Sequence, residues 1–281
     1  MSRELDALTS STLKHLREQW WTDTFTEFLV ETLRPRAGKR ILDVGCGTGI
    51  AEVSLARMRL SQVDLFGVDI MFERVRAAAE AARGANARVS YAAADACWLP
   101  FGDELFDSTY CVAVLQHVRD VSATVGELAR VTRRGGRLLI VEPDNAARYW
   151  FSSLPEGMEA FAMGQRFFAA LAEARNESPA AQTGPLVAGV LRQHGVEPIS
   201  VQLFPVTVSH LGTPEARVWE ARREAIGAAM GKAPGDSLRR FGADYLKAIE
   251  NYARKAAQAG PSFVEIQNTM LFATVGQRSD Q

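Results

Sequence analysis

One stretch, Ile41-Leu42-Asp43-Val44-Gly45-Cys46-Gly47-Thr48-Gly49, restricts what this chain can fold into more than any other. An apolar run of strand character passes directly into a turn with glycine at alternate positions, and a helix-forming segment follows. Glycine at 45, 47 and 49 removes side chains where the backbone must bend sharply and approach a ligand, while a helix N-terminus presents free amide donors. Strand, glycine turn and helix in that order open a βα unit with a ligand cradle at its top.

The chain repeats this alternation as far as about Asp144. Ile41–Val44, Val63–Val68, Val89–Tyr91, Ser108–Val112 and Leu138–Val141 read as strands, with helices over 48–60, 71–83 and 121–134. Strands alternating with helices at this spacing indicate a parallel sheet covered on both faces. Upstream, Leu13, Leu16, Trp20, Phe25, Phe28, Leu29 and Leu33 recur at helical intervals, and Pro35 and Gly38 end that pattern. After Pro143 the alternation stops. Met158, Phe161, Phe168 and Leu171 mark a helix outside the repeat, residues 185–194 another, and Val201–Val208 and Phe263–Val275 two late strands. Between those strands, Leu238, Phe241, Tyr245, Ile249 and Tyr252 share one helical face.

The turn discriminates among ligands. A dinucleotide fingerprint, G-x-G-x-x-G, needs its third glycine where Ile50 stands, and the lysine of a nucleoside-triphosphate loop is missing. NAD, FAD and ATP are therefore disfavoured. Asp43, two residues before the first glycine, places a carboxylate where a phosphate would be repelled and a positive group welcomed. Asp69 ends the second strand, where a carboxylate accepts hydrogen bonds from ribose hydroxyls. Together they point to a nucleoside with a cationic tail.

With these residues the sequence resembles the class I S-adenosylmethionine-dependent methyltransferases, in their type 11 and ubiquinone/menaquinone methyltransferase branch. The likeness rests on the Ile41–Gly49 turn, Asp69, Ala94-Asp95-Ala96-Cys97-Trp98-Leu99-Pro100-Phe101, Phe106-Asp107, Leu115-Gln116-His117-Val118, and Glu127–Val131 followed by Gly135–Ile140. It implies an α/β fold: a Rossmann-like seven-stranded sheet with its last strand antiparallel, plus helical lid insertions. Residues 1–37 would form an N-terminal helical cap and 38–144 the cofactor core. Residues 145–281 would supply lid helices and the last two strands, all in a single domain.

By the same resemblance the cofactor is S-adenosyl-L-methionine, leaving as S-adenosyl-L-homocysteine. Asp43, Gly45, Cys46, Gly47 and Gly49 would hold its methionine portion, and Asp69 its ribose. Ile70 and Met71 would cover the adenine, Asp95 would accept from the adenine amino group, and the Ala96 amide would donate to a ring nitrogen. Val112 and Ala113 would face the sulfonium end, although relatives often carry a polar residue where Ala113 lies. A sulfonium methyl is already activated, so such an enzyme mainly positions a nucleophile and excludes water, and adds a base only for a weakly acidic acceptor.

His117 heads the candidate bases, ahead of Glu142, Asp144, Tyr149 and His210; packing near the cofactor is the competing reading of His117. No acidic partner stands at the end of the fourth strand, Cys111-Val112-Ala113, so no metal is expected. Cys46 has no neighbouring base in sequence to make it a nucleophile. Large side chains concentrate outside the shared core. Trp20, Trp21, Glu142, Tyr149, Trp150 and Phe168 are the expected substrate contacts, in an enclosed, largely apolar pocket for a lipophilic or aromatic small molecule.

Composition narrows the partners. With 32 Lys+Arg against 33 Asp+Glu and a net charge of -1, the chain has no global field for nucleic acid or an anionic membrane. The three cysteines form no CxxC pair, the first residues are charged where a signal peptide would be apolar, and no apolar run approaches a membrane span. A cytoplasmic monomer or homodimer acting on a small molecule is expected: a methyltransferase working on oxygen or carbon. Two alternatives stand beside it, a nicotinamide-nucleotide Rossmann enzyme and a methyltransferase-like binding protein without turnover.

Overall fold

The computed structural model describes residues 20–57, 63–144, 148–175 and 183–280. Leu13 and Leu16 of the expected N-terminal helix and the end of the expected helix 48–60 lie outside them. The chain divides into two compact units. One takes residues up to Asp144, Thr183–Phe204 and the chain from Leu271; the other takes the stretch between Asp144 and Thr183 together with Pro205–Met270.

In the first unit β1 (Arg40–Val44), β2 (Asp64–Asp69), β3 (Val89–Ala93), β4 (Phe106–Val112) and β5 (Thr132–Asp144) lie parallel. Strand β1 sits at the centre, paired on one side with β2 (Leu42 opposite Phe66) and on the other with β4 (Leu42 opposite Thr109). Its last four residues are buried, as expected of a strand covered on both faces. The order runs β3-β2-β1-β4-β5, so the order in which strands are added reverses at β1 and β4, and a crevice opens at their carboxyl ends.

Helices cover the strands for reasons written locally. In α1 (Asp23–Leu33) the Thr22 hydroxyl accepts from the Phe25 amide at 3.2 Å, and Arg34 ends the helix in a left-handed conformation. Its apolar stripe of Phe25, Phe28, Leu29 and Leu33 is buried, with Phe25 and Phe28 packed on Phe204 at 5.4 and 4.9 Å between ring centroids. Helices α2 (Ile50–Arg57) and α3 (Phe72–Gly84) follow β1 and β2, and α4 (Val121–Val131) precedes β5. Asp120 caps α4 by accepting from the Ala123 amide at 2.8 Å. Asp107 fastens the entrance of β4: it accepts from Lys39 Nζ at 2.7 Å, the Arg40 amide at 3.0 Å and Arg133 Nε at 2.8 Å.

The expected helix over 121–134 stops three residues early. Thr132 turns the chain into β5 with its hydroxyl on the Leu128 carbonyl (2.6 Å) and the Thr109 hydroxyl (2.7 Å). The β4–β5 register slips between Phe106 and Ser108 to absorb the Gly135-Gly136 segment. Helix α6 (Thr183–Gln193) and β7 (Val196–Leu211) follow, the strand being longer than the expected Val201–Val208. A short strand, β6 (Trp150–Ser152), was not legible in the sequence. It pairs antiparallel with the last strand, β8 (Val264–Arg278), so the sheet has eight strands rather than seven.

The second unit is built on α5 (Pro155–Ala174), α7 (Ala216–Gly231) and α8 (Asp236–Ala259) with β6 and parts of β7 and β8. The helical segment between the late strands forms two helices, separated by Pro234 and Gly235 at φ +90°. Helix α8 presents the expected face: Ile249 and Tyr252 are buried with Trp219, Ile226 and Phe263. Tyr245 closes over Gly164, where a Cβ would lie 2.5 Å from its hydroxyl. An ion pair crosses this interior. Arg222 lies over the Trp150 and Trp219 rings and donates two hydrogen bonds to the fully buried Glu265, one of them at 3.1 Å. The Tyr252 hydroxyl donates to Glu265 at 2.7 Å.

Breaking a buried pair leaves an uncompensated charge, so Glu265→Ala should destabilise the second unit by about 3–5 kcal/mol. Limited proteolysis should then cut α7 and α8 first, while the segments of the first unit stay protected.

Candidate cofactor site

The glycine turn is held by β2. The amides of Gly45 and Cys46 both donate to the Val68 carbonyl, at 2.7 and 2.9 Å. The Asp69 carboxylate then accepts from the Gly47 amide at 3.0 Å through one oxygen and from the Met71 amide at 2.9 Å through the other. One residue therefore locks the turn after β1 to the turn after β2. Each oxygen keeps a lone pair for a further donor such as a ribose hydroxyl. Gly47 has φ +56°, and a Cβ there would meet nothing within 4 Å. The turn thus presents bare backbone to open space, the property a close-lying ligand requires.

Beneath the turn lies a buried acidic layer. Asp43 is 4% exposed, and its Oδ1 has no hydrogen-bond partner. Burial pushes its carboxyl up to about 8; nearby Asp69 pushes the same way, and Tyr110 pulls against both. Glu52, in the first turn of α2, is also buried, with neither carboxylate oxygen partnered. Its place depends on Gly67, where a Cβ would lie 2.6 Å from Glu52 Oε1 and 2.6 Å from the Tyr91 ring. Burial and the facing Asp43 raise the Glu52 carboxyl well above the usual range. Burial and these same acids raise the Cys46 thiol far above its ordinary value, so it stays a thiol and is no nucleophile.

The end of β4 forms the other wall of the crevice. Ala113 is buried and left-handed at φ +56°, a conformation costly for a side-chain-bearing residue. Its amide donates to the Val141 carbonyl at 2.7 Å. The amides of Val114 and Leu115 both donate to Glu142 Oε1 at 2.7 Å, and a 3₁₀ turn over Leu115–His117 follows. Glu142, expected as a substrate contact, is fully buried in this backbone-holding role. His117 closes the turn, half-buried.

The residues expected to face adenine lie at the surface. Ile70 is 54% exposed and Met71 half-buried. Asp95 is exposed and accepts from the Cys97 amide at 2.9 Å, so it stabilises its own loop. Among the described residues no group of three or more His, Cys, Asp or Glu side chains is placed to hold a metal ion.

The expected substrate residues separate. Trp20, Trp21 and Glu142 belong to the first unit, with Trp21 edge-on to Phe25 at 5.4 Å. Tyr149, Trp150 and Phe168 belong to the second, where Tyr149 is exposed and Trp150 stacks on Phe161 at 4.8 Å. Phe168 packs edge-on to Phe167 and Tyr245. Glu52, Tyr91 and Tyr110 escaped the sequence reading. An acid in the first turn of a helix ordinarily signals dipole compensation at the surface, and only the paired approach to Gly67 reveals that it points inward.

A parallel sheet reversing at β1 and β4, with a bare glycine turn and a carboxylate after β2, defines a Rossmann-like protein that binds a nucleoside-bearing cofactor. Residues 42–140 match a family described as a methyltransferase domain. The chain is 31% identical over 183 residues to a demethylmenaquinone methyltransferase of Mycobacterium bovis, covering 62% of this chain and 72% of that one. It is 37% identical over 122 residues to the methyltransferase GfsG of Streptomyces halstedii, covering 43% of each chain. The YcgJ protein of Bacillus subtilis shares the fold, with a TM-score of 0.57 at 19% identity, covering 92% of this chain and 100% of that one. The chain belongs to the S-adenosylmethionine-dependent methyltransferase family. Its similarity spans less than half the length of the first curated relatives it matches.

The Asp43 carboxyl has an ordinary value of 3.8 and a folded value of about 8, so the folded chain binds more protons than the unfolded chain between these limits. Its contribution to stability is fully present below the lower value and lost as pH rises through the upper one. The melting temperature of the ligand-free protein should therefore fall from about pH 6 to about pH 8.5, and Asp43→Asn should flatten that slope.

Proposed function

We propose that this chain transfers a methyl group from S-adenosyl-L-methionine to oxygen or carbon of a lipophilic or aromatic small molecule by direct in-line displacement. The observation that carries the reading is the turn itself: Gly47 opens on empty space while Asp69 holds its amide and keeps acceptor capacity beside it. The residues present fit the cofactor. Asp43, with an unpartnered buried oxygen, suits the ammonium, Asp69 the ribose hydroxyls, Ile70 and Met71 the adenine face, and Asp95 and the Ala96 amide its edge. Val112 and Ala113 belong to the sulfonium end.

When bound, the cofactor supplies an activated methyl on a sulfonium. The chain's own part is to orient the acceptor and exclude water, worth up to roughly 7–11 kcal/mol in ideal intramolecular models. Glu142 fixes the backbone of Val114 and Leu115, and so positions His117. His117 would take the proton from a hydroxyl or an acidic carbon. The acceptor class is supported by the mycobacterial relative, named for a quinone precursor. Trp20 and Trp21, in the same unit as the glycine turn, are the side chains proposed to select it. No helix among the described residues is long and apolar enough to cross a membrane.

Incubation with methyl-labelled cofactor and fractionated small-molecule pools, including menaquinone precursors, should label an extractable lipophilic product; label confined to a polar or polymeric fraction contradicts the acceptor class. Asp69→Ala should weaken cofactor binding by about tenfold or more, a loss of at least ~1.4 kcal/mol, by calorimetry. His117→Ala should lower kcat by about 10²–10⁴-fold, with a far smaller effect on cofactor affinity. Equal losses in both would assign His117 to binding.

A further inference from the structure

Glu52 has no place in the reading so far. It stands on α2, turned inward against Gly67 of β2, with both carboxylate oxygens buried and unpartnered, facing Asp43 of β1, whose Oδ1 is likewise buried and unpartnered. A charged carboxylate in such surroundings forfeits its hydration and recovers nothing, so the interior favours the neutral acid. The groups bearing on the pair among the described residues offer no cation. They are Asp69 of β2, Tyr91 of β3, Tyr110 and Cys111 of β4 and Cys46 of the turn, with Glu142 of β5 bearing on Cys111. Asp43 nevertheless lies two residues before Gly45 of the open turn, where a cationic ligand would compensate its charge.

We propose that Asp43 and Glu52 form a proton-holding pair beneath the glycine turn, that Glu52 stays the neutral acid, and that an ammonium-bearing ligand engaging the turn drives one proton off Asp43 into solvent. The inference rests on the cofactor reading above. In the step, the Asp43 O–H bond breaks heterolytically, the proton passes to buffer, and the electron pair stays on the carboxylate that faces the ammonium. Glu52, still protonated, is a positioning residue: it stays neutral beside an ionised Asp43, so the layer carries one negative charge and never two. Burial raises both carboxyls in the sense this requires. Cofactor affinity then rises with pH, because binding releases a proton.

The test is calorimetric titration with S-adenosylhomocysteine near pH 6.5, where an α-amino group is still protonated, in buffers of different ionisation enthalpy. The wild type should release about one proton per ligand, and its affinity should rise about tenfold per unit between roughly pH 6 and pH 7.5. Asp43→Asn should abolish the release. Glu52→Gln, which reproduces the shape of the neutral acid, should keep it, and should restore the affinity that Glu52→Ala loses. Binding without proton exchange in the wild type overturns the proposal while leaving the cofactor reading intact, and so does release that survives in Asp43→Asn or disappears in Glu52→Gln. No binding at any pH removes the cofactor reading and the proposal with it. The wild-type measurement decides even where a variant fails to fold.

Discussion

The carboxylate of Asp69 is the interaction on which the rest of the site depends. It accepts from the Gly47 amide on one side and the Met71 amide on the other, so the turns after two parallel strands share one anchor. Charge-assisted hydrogen bonds from backbone amides are strong and directional, and here they fix a glycine loop that has no side chains with which to fix itself. Everything at the carboxyl ends of β1 and β2 takes its position from that anchor: the open face at Gly47, the start of α3 at Met71, and the approach of Asp43 from below. Glu142 does the matching work across the crevice, where one carboxylate oxygen receives two successive amides after the strained Ala113. Two acids, one at the end of β2 and one on β5, thus preorganise the backbone on both sides of a gap.

The layer beneath the turn follows a different logic. Asp43 and Glu52 are buried without cationic partners among the described residues, which costs stability whenever either ionises. A fold tolerates such a cost where the charge is wanted later, and sites that bind cations are one such place. The contrast within one chain is instructive. Glu265, just as buried, faces Arg222 and Tyr252 and is fully compensated, as expected of an acid that holds an interior together. Asp43 has no such partner on its Oδ1, and it stands one strand end away from open space.

Much of this was legible in the sequence because it is written as local pattern. The strand–glycine–helix run of 41–49, the carboxylate at 69 and the alternation to Asp144 follow from side-chain period and backbone sterics, which act over a few residues. What was not legible depends on approach between distant segments. The inward turn of Glu52 is permitted by Gly67, and the role of Glu142 depends on amides 27 and 28 residues before it. Strand β6 is three residues long and exists only through pairing with β8, so no periodicity announces it. Pro234 and Gly235 mark the division of α7 from α8, and the apolar face read at 238–252 lies wholly on α8. The tryptophans read as one lid are distributed over two units, since aromatic content says where large side chains are and not which of them meet.

The account stands or falls on what the glycine turn holds. The most direct measurement is calorimetric titration of the purified chain with S-adenosylhomocysteine and, separately, with NADH. A single saturable site for S-adenosylhomocysteine, abolished or strongly weakened in Asp69→Ala, with no heat from NADH, is the predicted result. Tighter binding of NADH, or S-adenosylhomocysteine binding that is indifferent to Asp69, would contradict it.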